Sequence, residues 1–366
     1  MAKIESLLQE AIGQGVFPGA CFAVGKNEQV LAQGAAGRYT YCPESPEVRL
    51  DTIWDLASVS KVVACTTAAM LLFDEGKLRL DQPVAEVLPE FAQNGKEKVT
   101  FQNLLVHDSG LAAFRPYHRT LKNAEECLAA IYAEKLQQPT GEKTVYSDLG
   151  IITLGKAIEK LSGMGLDLFT SGRIFGRLGM SDTGFRPTSR SRCAPTENVE
   201  PWRAELRSLR TKAVGLPPAP DPRSVDPALW IQGEVHDPTA MLLGGVAGHA
   251  GLFSTVGDLT QFAKMMLAKG GGLVRPATIE LFTRRQDVKS TRGLGWDTKS
   301  PEGSSAGSKF GPRSYGHTGY TGTSMWIDPD SGHFSILLTN RVHPSSENTK
   351  IIQFRPKFHD LVRTLF

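Results

Sequence analysis

The sequence predicts an α+β fold: an antiparallel β-sheet flanked by terminal helices, with a helical subdomain inserted between its strands. Three observations lead there. Residues 20–36, ACFAVGKNEQVLAQGAA, place two short strand-like runs around a polar turn at 25–29, the pattern of a hairpin. Residues 324–340, SMWIDPDSGHFSILLTN, repeat that pattern around Asp328-Pro329-Asp330-Ser331-Gly332, a strong turn signal. Between these two strand pairs the chain is mostly helical, with uncharged or amphipathic runs at 58–73, 124–135, 148–161, 165–178 and 255–268. Strands at both ends and helices in the middle require a discontinuous sheet domain.

The elements follow in order. The opening MAKIESLLQEAIGQGVFPGA reads as a short amphipathic helix that ends before Phe17-Pro18-Gly19. A last helix, over 349–365, closes the chain. The expected division is a sheet subdomain made of 1–55 and 286–366, and a mainly helical subdomain over 56–285, with the active site at their junction. Prolines 217, 218, 220, 222 and 227 exclude a regular helix from the insertion at 203–230, which is expected to be a lid, a pocket wall or a surface loop.

Composition narrows the function. With 366 residues, 40% of them hydrophobic, the chain can close a sizeable core. Its formal charge of +3, from 41 basic and 38 acidic residues, leaves no electrostatic footprint for nucleic acid. The start lacks a basic region followed by an apolar one, and the uncharged stretch 62–73 is too short to span a bilayer. Cys21, Cys42, Cys65, Cys127 and Cys193 form no C-x-x-C pair and read as buried or reduced thiols. A cytoplasmic location without a membrane span is the expectation.

The chemistry starts from LASVSKVVACTT, residues 56–67, where a lysine sits in an apolar helical run. Ser58 and Lys61 are three apart and would share one helix face. Burial disfavours the ammonium, and a neutral amine beside a hydroxyl is a general base for a serine nucleophile. Alone, the tetrad is better explained by a helix cap and a lysine that snorkels to water. Partners elsewhere decide between these readings.

One partner is Tyr146-Ser147-Asp148, where a turn feeds a helix: the phenol can relay a proton to the leaving group, and Asp148 can bind Lys61 or substrate. Another is His317-Thr318-Gly319, at a strand, where glycine permits close approach of a ligand and the Tyr320 N–H can join that of Ser58 as an oxyanion hole. Other patterns carry less. Gly303 to Gly307 matches G-x-S-x-G around Ser305, but in a polar Gly/Ser-rich loop without the required strand and helix. The glycines from Gly244 to Gly251 lack the Gly-Lys-Ser/Thr ending of a phosphate loop and read as packing glycines. His107 and His249 have no metal-ligand spacing, and no metal site is expected.

Taken together and in this order, S-x-x-K, Y-S-D and H-T-G resemble the three motifs of the serine β-lactamase and penicillin-binding-protein superfamily. The likeness is greater to the class C β-lactamase-like branch, which includes the family VIII carboxylesterases and some D,D-peptidases, and it covers nearly the whole chain. TIWDLASVSK, VTFQNLLVHDSGL, GRLGMSDTGF and GHAGLFSTVGDLTQFAKMML add to it. The resemblance implies a sheet subdomain joined to a helical one with the site between them. It also implies an acyl-serine mechanism with catalytic Ser58, Lys61 and Tyr146, an oxyanion hole at Ser58 and Tyr320, and substrate contacts at Asp148, His317, Thr318 and Gly319. No metal or organic cofactor is needed.

Two departures bear on the substrate. His317 stands where many relatives have a permanently charged lysine, and Asp148 where the family usually has asparagine. Both weaken recognition of an anionic β-lactam or peptide. An esterase acting on a small acyl ester is therefore the expected function, with a β-lactamase or D,D-peptidase, an acyltransferase, or a silent binding protein on the same scaffold as the alternatives. If Asp148 is ionised beside Lys61, the lysine becomes a poorer base, and Tyr146 or a shared proton carries more of the work.

Overall fold

A computed structural model describes residues 1–199, 203, 229–288 and 290–366. The insertion read as a candidate lid lies outside these residues, apart from Arg203, Leu229 and Trp230. Among the described residues no helix is long and apolar enough to cross a membrane.

The sheet has six strands in the order β2-β1-β9-β8-β7-β6. These are β1 (Gly19–Lys26), β2 (Gln29–Gly37), β6 (Asp297–Thr298), β7 (Tyr315–Thr318), β8 (Ser324–Asp328) and β9 (His333–Thr339). Every neighbouring pair is antiparallel. Strand β1 shows why the sheet is covered on both faces: successive side chains point to opposite sides. Ala20, Phe22 and Val24 join the core beneath helices α1 (Ala2–Gly13) and α11 (Ile351–Leu365), while Cys21 and Ala23 join the main core on the other face. Phe17 and Phe22 make edge-to-face contacts with Phe354 and Phe358 of α11, which anchors the C-terminal helix to the first hairpin.

The remaining helices lie between the two strand groups. They are α2 (Thr67–Asp74), α3 (Phe101–Leu105), α4 (Ala124–Ala133), α5 (Asp148–Ser162), α6 (Leu166–Thr170), α7 (Gly176–Leu178), α8 (Pro238–Leu242), α9 (Val256–Leu267) and α10 (Pro276–Thr283). Helix α2 is apolar around most of its circumference and runs through the main core. Helix α9 packs across β1 and β9 and so covers the second face of the sheet. A small sheet, β3 (Trp54–Asp55), β5 (Leu252–Ser254) and β4 (Gly184–Phe185), holds the chain just before Ser58 against the glycine-rich segment after α8.

The predicted helices at 124–135, 148–161 and 255–268 and both predicted strand pairs are present. The helix predicted from residue 58 differs. Ser58 lies in a turn, helical structure begins at Val59, and Lys61–Thr66 is wound as a π-helix before α2. Thr67 Oγ1 donates to Val62 O at 2.8 Å, across the widened turn. Such widened turns recur at functional sites. The run at 165–178 is likewise broken, with π-helical Ser171–Phe175 between α6 and α7.

Candidate active site

The turn that carries Ser58 is set by Asp55. Its buried carboxylate accepts the Ala57 N–H at 2.8 Å and the His236 N–H at 2.6 Å, and Ala57 takes φ of +46°, a conformation unusual for a residue with a side chain. Burial pushes the Asp55 carboxyl upward, against the pull of these two N–H donors. The same turn is fastened to the end of β7: Thr321 Oγ1 donates to Asp55 O at 2.7 Å and Thr323 Oγ1 to Leu56 O at 2.9 Å. Gly319 lies in that seam, where a Cβ would stand 2.4 Å from Leu56 O and 2.0 Å from Thr323 Oγ1. Neither the Ser58 nor the Tyr320 N–H donates a hydrogen bond among the described residues. Two free backbone donors on segments tied together are what an oxyanion hole requires.

Lys61 has 0% side-chain exposure, so it does not snorkel. Its Nζ lies 2.9 Å from Ser58 Oγ, 2.9 Å from His249 O and 2.8 Å from Asp148 Oδ1. This corrects the expectation of a neutral amine. Burial is the largest single influence and lowers the Lys61 pKa, but the Asp148 carboxylate and Tyr146 together outweigh it, and the net result is a raised value that keeps the ammonium.

Tyr146 sits in the turn before α5, and Ser147 caps that helix by accepting the Gly150 N–H at 3.2 Å. The phenol ring lies 4.9 Å from Lys61 Nζ. Its hydroxyl is buried and makes no hydrogen bond of normal geometry among the described residues, yet both Ser58 and Lys61 lie near enough to favour its anion. Burial dominates and holds the phenol above its ordinary value, hence protonated at neutral pH.

Two imidazoles flank the Tyr146 ring, His107 at 4.7 Å and His317 at 5.9 Å between centroids. His107 Nδ1 accepts the Ser147 N–H at 3.0 Å, so this histidine helps to fix the Y-S-D turn. His317 Nδ1 lies 2.8 Å from Thr318 O, which places its proton on Nδ1 and leaves Nε2 a bare acceptor, buried and without a hydrogen-bond partner among the described residues. Burial first, then the positive charges of Arg292 and Lys61, drive both histidines well below 6.5. His317 is therefore neutral and does not replace the missing lysine charge.

Several participants carry no signal in the sequence. The Arg292 guanidinium stands 5.1 Å from the Tyr146 ring centroid, and its ion partner, Asp297, is no closer than 3.9 Å. Nothing in STRGLGW marks this arginine. His249, weak as a ligand candidate, supplies a backbone carbonyl to Lys61, while its ring nitrogen Nε2 contacts Asp237 Oδ1 at 2.9 Å. Asp237 also caps α8, and the His249 ring is the main influence holding its carboxyl low against burial. The glycine run has the packing role read from it: a Cβ on Gly248 would lie 2.3 Å from Ile151 O. Ser305, the G-x-S-x-G decoy, lies in an irregular loop.

Asp148, Asp237 and His249 bring three donor atoms within 4.8 Å of one another, a spacing that could hold a cation. The Lys61 ammonium already answers the Asp148 charge there, 2.8 Å away, and opposes a second cation.

Ser58, Lys61, Tyr146 and Asp148 thus lie together in one buried cluster. The Beta-lactamase family model matches residues 4–355, and the chain belongs to that family, as a hydrolase of the β-lactamase fold. It is 31% identical to an N-acetylmuramyl-L-alanine amidase of Bacillus subtilis strain 168, over 94% of this chain and 81% of the relative. It is also 31% identical to a provisionally named D-alanyl-D-alanine carboxypeptidase of Escherichia coli strain K12, over 89% of this chain and 79% of that one. Among solved structures, EstCE1, a hydrolase with promiscuous acyltransferase activity, superposes with a TM-score of 0.73 at 24% identity, covering 98% of both chains. A class C β-lactamase from Rhodobacter sphaeroides does so with 0.72 at 16% identity, covering 100% of both. These two share the fold.

Proposed function

We propose that the protein is a serine hydrolase that cleaves carboxylic esters through an acyl-Ser58 intermediate. The observation that carries this reading is the buried Lys61 ammonium bridging Ser58 Oγ at 2.9 Å and Asp148 Oδ1 at 2.8 Å. As Oγ attacks the carbonyl carbon, Lys61 gives a proton to Asp148 Oδ1, and the lone pair this frees on Nζ takes the Oγ proton. The carboxylate is the final acceptor. The oxyanion is held by the Ser58 and Tyr320 N–H groups. When the carbon–oxygen bond breaks, the Tyr146 phenol protonates the departing alkoxide and recovers a proton from the Lys61–Asp148 pair. Water then repeats the sequence on the acyl-enzyme, with the reformed Ser58 as the leaving group.

A second reading, hydrolysis of an amide or lactam in a substrate bearing a carboxylate, is favoured by Arg292. Its guanidinium lies beside His317 and Tyr146 and supplies the permanent charge that His317 lacks. The names of the amidase and carboxypeptidase relatives point the same way. Rates on a short-chain p-nitrophenyl ester, a chromogenic cephalosporin and an N-acyl-D-alanyl-D-alanine peptide separate the two. The ester is expected to lead in kcat/KM by at least about tenfold, and Ser58→Ala to lose about 10³-fold or more. A lead for peptide or cephalosporin selects the second reading. Ester turnover surviving in Ser58→Ala overturns both.

A further inference from the structure

A cavity of about 680 Å³ opens where α9, α10, the β6 edge of the sheet and the turn before β7 meet, and none of its lining residues belongs to the site around Ser58. Its size is ordinary for a small-molecule site. Its charge is not ordinary for this chain. Lys269, Arg284, Arg285, Lys299 and Arg313 line it, against the single acid Glu280. That local excess exceeds the +3 carried by all 366 residues.

Arg313 is committed to Asp330. The other four cations have no carboxylate partner within salt-bridge distance among the described residues, although Arg285 donates to the carbonyls of Asp287, Val288 and Ser290. Like charges gathered around a concave wall focus a positive potential into it. The cavity is also partly greasy: Leu267, Ile279 and Pro312 line it, with Tyr315 of β7 as a buried wall.

We propose that this cavity binds an anionic small molecule with an apolar body, a carboxylate or a phosphate monoester, at a site separate from the catalytic one. The planar fork of Arg284 matches two acceptor oxygens, and Arg285, Lys269 and Lys299 add positive charge to the lining. The Cα of Tyr315 is about 7 Å along the same strand from that of His317, two residues of extended chain, so a ligand seated against Tyr315 also touches the strand that carries H-T-G.

The test is calorimetric titration of the full-length protein with sodium octanoate and with hexyl phosphate, at low and high salt. Saturable binding of either probe, weakened at least tenfold by the double change Arg284→Glu and Lys299→Glu and by high salt, is the expected result. The probe that binds tells a carboxylate ligand from a phosphate one. An unchanged thermal midpoint in the double variant separates lost binding from lost fold. Binding must also persist after Ser58 is blocked by a fluorophosphonate. No saturable binding, equal binding by the double variant, or loss on blocking Ser58 overturns the proposal.

Discussion

Lys61 is the residue on which the chemistry turns, and its charge is decided by a competition between two effects. Complete burial alone would drive the ammonium toward the neutral amine, while the Asp148 carboxylate 2.8 Å away and the Tyr146 hydroxyl favour the charge, and together they outweigh burial. The sequence told half of this. The apolar run around Lys61 announced burial, but the sign of its pKa shift depends on Asp148, 87 positions away, and only the fold sets that distance. The folded pKa lies above the ordinary 10.5, so the pair stabilises the protein fully below pH 10.5 and that contribution is lost as pH rises through the folded value. Asp148→Asn removes the counter-charge, and burial then lowers the Lys61 pKa. The variant is expected to lose about 10- to 100-fold in kcat/KM at pH 7 and to recover as pH rises and the amine deprotonates. A pH–rate profile checks this. A variant profile parallel to that of the wild type would show that Asp148 takes no part in the proton relay.

At the scale of elements, the site is a seam between the turn 56–58 and the end of β7. The two strand pairs were legible because their turns carry their own chemistry: Asn27 takes φ of +52° in the first, and Gly332 φ of +70° in the second. The π-helical turn after Ser58 was not legible, because apolar residues at 62–65 satisfy α- and π-winding alike and the packing of the surrounding core chooses between them. The seam itself is fixed by Gly319, Thr321 and Thr323, whose contacts with Asp55 and Leu56 cross more than 260 residues. Gly319→Ala places a methyl group against Leu56 O and Thr323 Oγ1 and forces the two segments apart. The expected result is about 1–3 kcal/mol of lost stability, read by urea unfolding, and a fall in kcat larger than the change in KM, because the oxyanion donors separate. Unaltered kcat in a folded variant would mean that this seam does not set the catalytic geometry.

Over the whole molecule, the first and last parts of the chain build one sheet, and the middle of the chain supplies both Ser58, the proposed nucleophile, and the helix α9 that covers the second face. Ser58, Lys61, Tyr146 and His317 could be read from the sequence because each lies in a short pattern whose residue types suit one chemistry. Asp55, Asp237, His249 and Arg292 could not, since each acts through a contact made only on folding: a backbone N–H, a ring nitrogen, a carbonyl or an aromatic face. All five cysteines are free and buried, so none competes with Ser58 as an accessible nucleophile. The central claim is that Ser58 becomes acylated, and the most direct test is peptide mass spectrometry of the full-length protein after a fluorophosphonate. The account predicts one adduct, on Ser58, absent from Ser58→Ala and formed much more slowly in Lys61→Ala. An adduct on Ser305, or one that persists in Ser58→Ala, would contradict it.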